Sequence, residues 1–134
     1  MTMKRKKALK IIGVSALITL AAVFLFYFEL ATNFFWYLIH PPKKFDPIEW
    51  KKGDPVKRGR MLDDLLNTIK LVGREKPEVL RLLGKPDREV KYESGKTAFY
   101  YLISNKRFAF DPWVENLILE FDEQGRCIRV VICD

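Results

Sequence analysis

The side chains that could do chemistry are few and scattered along this sequence. His40 is the one histidine of the chain, and it is followed at once by two prolines with no partner at a metal-ligand spacing. Asp63 and Asp64 are adjacent in a segment of helical periodicity, so their carboxylates point in different directions and do not form an acid–base pair. We therefore expect no catalytic, cofactor-binding or metal-binding residues, and a protein that is not an enzyme.

The two cysteines, Cys127 and Cys133, lie in a segment that alternates like a β-strand. At about 3.3 Å per residue, their separation of six positions places them roughly 20 Å apart. A disulfide requires Cα atoms within about 7 Å. We expect two buried free thiols, with no nearby base to activate either as a nucleophile, and a bond from one of them to a partner protein stays open.

The pair Gly84-Lys85 could belong to a phosphate-binding loop or could end a helix. A loop of the form GxxxxGK[ST] needs glycine at position 79 and a hydroxyl at position 86, where this chain has Val79 and Pro86. Gly84 also follows an apolar helical stripe, whereas anions bind at the N-terminus of a helix. We predict that Gly84 ends a helix, and that Pro86 prevents its continuation.

The N-terminal segment predicts a membrane anchor. Residues 1–10 form a basic cytoplasmic tip with five lysine and arginine residues, and residues 11–28 carry no charge. Eighteen apolar residues just span a hydrocarbon core of about 30 Å, and a basic flank stays in the cytoplasm. We expect a transmembrane anchor within residues 11–39 that crosses the membrane once, with the C-terminal domain outside the cytoplasm. A cleaved signal peptide is the alternative.

Aromatic and basic residues follow the apolar run. They lie where the chain is expected to leave the membrane, at the membrane–water interface on the non-cytoplasmic side. These predicted interface residues are Phe34, Phe35, Trp36, Tyr37, Lys43 and Lys44. Residues 43–60 hold seven basic and three acidic groups, while residues 61–134 hold twelve basic and thirteen acidic groups. Because the positive charge flanks the membrane, we expect contact with anionic membrane lipids near the anchor and no nucleic-acid partner.

Two helices are predicted after the anchor. Residues 40–57, rich in proline and lysine, predict an extended juxtamembrane linker. Asp54-Pro55 suits the start of a helix, and an apolar stripe of helical period continues from there until Gly73. A second, shorter helix is expected from Pro77 to Gly84.

Residues 58–134 predict one α+β domain. Four apolar or alternating runs suggest strands, with Gly125 in the turn between the last two. They lie at residues 89–93, 97–103, 116–122 and 127–133. The expected fold is a transmembrane helix followed by two short helices packed on a roughly four-stranded antiparallel sheet, a two-layer sandwich.

Several short motifs resemble a known family. DLLNTIKLVGREKPEVLRLLGKPD resembles the opening of the SmpA/OmlA (BamE-like) envelope proteins, with its pattern LxG and VxxLLGxP. YYLI and NLILEFDEQGRCIRVVI resemble the central strand and closing hairpin of that family. The resemblance covers about residues 61–132 and implies the same two-layer fold. Members serve as outer-membrane assembly lipoproteins, but no lipobox cysteine follows the apolar run in this chain.

Together these features predict a membrane-anchored, non-enzymatic binding module of the bacterial cell envelope. It would pass the inner membrane once, with its C-terminal domain in the periplasm. Its partner would be an envelope protein or a lipid, with a role in envelope or outer-membrane protein assembly. The alternative is a periplasmic inhibitor or immunity protein that blocks an enzyme, because β-lactamase-inhibitor proteins share the architecture of the family.

Two surfaces are candidates for partner binding. The first is a predicted connection between strands, residues 105–116, whose aromatic side chains either pack into the core or form a docking surface with a basic rim. Its residues are Phe108, Phe110, Trp113, Lys106 and Arg107. The second is the outer face of the sheet, expected to carry Tyr100, Ile118, Val131 and Arg129.

Overall fold

A long apolar helix, α1, runs from Met3 to Ile39. In the computed structural model, the backbone is described for residues 2–108 and 111–134, and the side chains of 105–108 and 111–112 are left out of that description. Within this part of the chain, α1 is the one helix long and apolar enough to cross a membrane. The chain divides into two compact units, Met1–Trp36 and Tyr37–Asp134. We call the second unit the head.

Three short helices lie in the head, one more than the sequence predicted. They are α2 (Pro47–Lys51), α3 (Pro55–Thr68) and α4 (Lys76–Leu83). Aspartate side chains cap the first two: Asp46 accepts from the backbone N–H of Ile48 at 2.9 Å, and Asp54 accepts from that of Lys57 at 3.1 Å. Gly84 ends α4 with φ +74°, as predicted for this glycine.

The end of α3 differs from the prediction. The helix stops at Thr68 and not at Gly73, because Ile69 adopts an extended conformation with φ −118°. The backbone then turns, and the N–H of Gly73 donates to the carbonyl of Cys127 at 2.7 Å. Gly73 has φ +93°, a conformation that favours glycine, and its hydrogen bond joins the loop after α3 to the sheet.

The sheet has four antiparallel strands in the order of the chain. They are β1 (Arg88–Lys91), β2 (Thr97–Phe108), β3 (Asp111–Phe121) and β4 (Cys127–Cys133). Strands that are consecutive in the chain pair with each other, so β2 and β3 are central. The α+β fold class expected from the sequence is confirmed.

The predicted connection at residues 105–116 is wrong. β2 extends into this segment as far as Phe108 and β3 begins at Asp111, with Lys106 opposite Trp113 and a register shift between Ile103 and Lys106. Pro112 cannot donate a ladder hydrogen bond, but β4 pairs with β3 only from Asn116 onward. The proline thus lies where β3 has one neighbour, a position at which a sheet tolerates it.

Strand alternation directs one face of the sheet toward the helices. The odd-numbered residues Phe99, Tyr101 and Ile103 of β2 are buried, as are Leu117 and Leu119 of β3. The helices contribute the other half of this core. Its helical side chains are Trp50, Met61, Leu62, Leu65, Val79 and Leu83.

The sequence predicted an extended juxtamembrane linker over residues 40–57. In the structure these residues are folded. Trp50 of α2 is 0% exposed and packs edge-on against Phe45, with ring centroids 5.8 Å apart. The N–H of Phe45 donates to Asp64 at 2.7 Å, and the N–H of Lys43 donates to the carbonyl of Arg60 at 2.8 Å. These contacts fasten the segment to α3. Proline content predicted an open chain, whereas a buried tryptophan makes this stretch part of the core.

Candidate functional site

The outer face of the sheet carries the residues predicted for it. Register places Arg88, Tyr100, Ile118 and Val131 in one row across all four strands. Arg129 lies in the next row, opposite Glu120. Since the core residues of α2, α3 and α4 pack on the opposite face, none of these three helices covers this row. We call this surface the outer face.

Apolar side chains form the middle of the outer face. Tyr100, Ile118 and Val131 are half-buried, and Leu102 and Tyr92 beside them are more exposed. Half-burial on a sheet that is open to solvent arises because neighbouring side chains in one row cover each other. The result is a continuous apolar stripe that extends across the strands.

Charged side chains border this stripe, and each contacts a neighbouring side chain. The guanidinium of Arg88 lies over the ring of Tyr100 at 4.1 Å from the centroid, within the range of a cation–π contact. Arg129 Nη2 donates to Glu120 Oε1 at 2.8 Å. This hydrogen bond raises the pKa of Arg129, and a hydrogen bond with Tyr100 raises the pKa of Tyr92. The stripe therefore has polar borders.

A shallow cavity of about 280 Å³ lies at one end of the sheet, where β1 turns into β2. Its walls include Tyr92, Lys96, Thr97, Glu120 and Ile128. The Oγ1 atom of Thr97 is buried and has no hydrogen-bond partner among the described protein groups. The cavity is an extension of the outer face, with an ammonium group at its rim.

Two of the three aromatic candidates of residues 105–116, Phe108 and Trp113, lie in strands and not in the predicted loop. Phe108, Lys106 and Arg107 lie in β2, and their side chains, like the whole of Phe110, fall outside the described part of the structure. Trp113 is 43% exposed, and its indole N–H donates to Asp134 Oδ1 at 3.1 Å. Trp113 is therefore not fully packed into the core, and its role in binding stays a prediction.

The predicted membrane-interface residues lie at the end of α1 and just after it. Phe34, Phe35 and Tyr37 are exposed, as an interfacial aromatic cluster would be. Lys43 forms an ion pair with Glu49 on α2. This hydrogen-bonded pair lowers the pKa of Glu49, so that carboxylate stays ionised at neutral pH. Lys44 is exposed.

Sequence reasoning missed a buried arginine. Arg58 of α3 is 2% exposed, and its Nε donates to the carbonyl of Trp50 at 2.9 Å. Its Nη1 donates to Asp87 Oδ2 at 2.6 Å and to the carbonyl of Leu102 at 3.3 Å. The guanidinium also lies 5.6 Å from the ring centroid of Tyr101. This network joins α2, α3 and the start of the sheet around one charge.

The cysteines are both free, as predicted, but they differ in exposure. Cys127 is buried, and its burial raises the pKa of its thiol. Cys133 is exposed, so the expectation that both thiols are buried is wrong for this residue. It is the last residue of β4, an edge strand of the sheet. No group of three or more histidine, cysteine or acidic side chains in the described residues could hold a metal ion.

Comparisons with known proteins give one structural likeness. No family model matches this chain, and no curated protein matches it. The crystal structure of the osmotically inducible lipoprotein OsmE is similar, with a TM-score of 0.39 and 18% sequence identity over 69% of this chain and 88% of that chain. A likeness this weak does not assign the chain to a family, so membership of the SmpA/OmlA family stays a prediction.

Proposed function

We propose that this protein is a membrane-anchored, non-enzymatic binding module of the bacterial cell envelope. The head would bind an envelope protein through the outer face of its sheet. The observation that carries the proposal is the row of Tyr100, Ile118 and Val131, which forms a connected apolar stripe on the side of the sheet opposite the helices.

The chemistry of the outer face favours a protein partner. Apolar surface that is continuous and bordered by polar groups is typical of protein–protein contacts. A central aromatic side chain with charged residues at the rim is the arrangement in which a few residues supply most of the binding energy. Tyr100 would be that central residue, with Arg88 and Arg129 at the rim.

The anchor supports a location in the inner membrane. In this proposal α1 spans the bilayer with its basic end, Lys4 to Lys10, in the cytoplasm, and the head lies in the periplasm. Protease added to spheroplasts should then digest the head while it spares the tip. A head that survives protease until the membrane is lysed would refute this placement.

Partner capture through the outer face can be tested with two matched substitutions. Ile118→Asp places a charge within the stripe, whereas Leu80→Asp places the same charge on an exposed position of α4. We expect Ile118→Asp to abolish crosslinks formed by a photoreactive residue at position 102, and Leu80→Asp to preserve them. Circular dichroism should show that both variants are folded. Unchanged crosslinks in folded Ile118→Asp would refute the outer face as the binding surface.

A further inference from the structure

The two sides of α2 have opposite environments. Trp50 is fully buried beneath the helix, while Ile48 on the other side is 73% exposed. Among the described large apolar side chains that follow α1, Ile48 is the most exposed, and the next is Val114 at 47%. Since an aspartate cap and the buried tryptophan fix the helix, Ile48 is held in solvent by the fold itself.

Lysines lie on both sides of Ile48 in the sequence. Lys51 and Lys52 follow it at three and four positions, a spacing that places side chains on the same face of a helix. Lys44 precedes α2 and is also exposed. The one carboxylate within α2, Glu49, is paired with Lys43. The surface formed by Lys44, Ile48, Lys51 and Lys52, which we call the α2 surface, thus combines an apolar tip with positive charge.

The α2 surface is close to α1 along the chain. Eight residues separate Ile39, the last residue of α1, from Ile48. Several of those residues are bound to α3: the guanidinium of Arg60 donates to the carbonyl of Pro41 at 2.7 Å, and the N–H of Asp46 lies 3.4 Å from Met61 Sδ. These contacts hold residues 41–46 on α3, so the α2 surface is fixed to the rest of the head and only a short stretch of sequence separates it from the end of α1.

We propose that the α2 surface docks on the anionic lipid bilayer in which α1 is anchored. This inference rests on the anchoring part of the proposed function. Lysines near an anionic leaflet are attracted to its headgroups, and the aliphatic stems of lysine tolerate the interface. An isoleucine between them enters the boundary of headgroups and acyl chains, as apolar residues of interfacial helices do. Such a contact holds the head in one orientation on the membrane.

The test uses the full chain in lipid nanodiscs and an environment-sensitive fluorophore on a cysteine at position 48. Ile48→Cys is made in a Cys133→Ser background, because Cys133 is exposed and would also react. Ile128→Cys is the matched control, since Ile128 is an exposed isoleucine (45%) that lies on β4 and not in the α2 surface. We expect a blue-shifted emission and protection from acrylamide for the probe at position 48 in nanodiscs with 30% phosphatidylglycerol, and an aqueous spectrum at position 128.

Charge dependence separates docking from nonspecific contact. Replacing the anionic lipid with phosphatidylcholine should release the probe, and Lys51→Gln with Lys52→Gln should weaken docking by about fivefold for each lysine. An aqueous spectrum at position 48 in anionic nanodiscs, or protection that is unchanged in phosphatidylcholine, would overturn the inference. If the chain stays with the nanodisc but the probe at position 48 gives an aqueous spectrum, the docking proposal is wrong and the anchoring proposal stands. A chain that does not remain with the nanodisc overturns the anchoring and the docking together.

Discussion

Replacement of Asp87 by asparagine should destabilise the head strongly. Asp87 Oδ2 accepts from Arg58 Nη1 at 2.6 Å and from the N–H of Leu102 at 2.8 Å. Asparagine retains an oxygen for Leu102 but removes the charge opposite a guanidinium that is 2% exposed. The substitution therefore leaves a buried cation without a counter-charge, although its other hydrogen bonds remain.

The magnitude follows from the burial of the two partners. Loss of one partner from a buried ion pair costs about 3–5 kcal/mol. The Asp87 side chain is 33% exposed, so solvent compensates part of the lost charge and we expect about 2–4 kcal/mol. Arg58→Met keeps the packing against Trp50 and removes the buried charge, and should cost about 1–3 kcal/mol through unpaired acceptors. The double variant should cost less than the sum of the two, because each single change leaves an uncompensated partner.

Urea unfolding of the full chain in detergent, followed by tryptophan fluorescence, measures these differences. Arg126→Gln is the control, since its pair with Glu75 at 3.7 Å joins two side chains that are more than half exposed. Its effect should stay below about 1 kcal/mol. If Asp87→Asn costs no more than Arg126→Gln, or if the double variant costs the full sum, Arg58 is not stabilised by Asp87 in the way the geometry indicates.

Three further outcomes test the core, the thiols and the cavity. Trp50→Ala should cost about 3–5 kcal/mol by urea unfolding because it empties a fully buried site, while Ile48→Ala on the exposed side of α2 should change stability by about 0.5 kcal/mol or less. At pH 8 iodoacetamide should modify Cys133 within minutes and Cys127 only after unfolding, with mass spectrometry as the measurement. Burial of Cys127 both excludes the reagent and raises the pKa of its thiol, so the thiol stays protonated at this pH. Thr97→Val should raise the free energy of unfolding by about 1 kcal/mol because the buried hydroxyl lacks a protein partner, whereas Thr97→Ser should give no gain.

The features predicted correctly from the sequence depend on local chemistry. Asp54-Pro55 starts α3 through a side-chain cap and a fixed φ, and Gly84 ends α4 with a positive φ. The alternation of Leu117, Leu119 and Phe121 determined which face of β3 is buried. Each of these motifs operates within a few residues, so the sequence is sufficient to find it.

The features that were missed depend on contacts between distant residues. Arg58 was counted with the basic flank of the membrane because arginine is rarely buried, and its partner lies 29 positions away. Trp50 lies in a lysine-rich and proline-rich stretch, where composition favours an open chain over a core residue. β2 and β3 extend into residues 105–116 because the two strands pair with each other. Neither segment indicates this pairing by itself.

The packing of α3 on β2 and β3 has a consequence for synthesis. Met61, Leu62 and Leu65 leave the ribosome before the strands that bury them, Phe99 to Leu119, have been made. At about 5–20 residues per second, the ribosome needs roughly 3–10 s to reach those strands. During this interval the apolar stripe of α3 lacks the strands that cover it, so the nascent head exposes apolar surface until the last hairpin has been made.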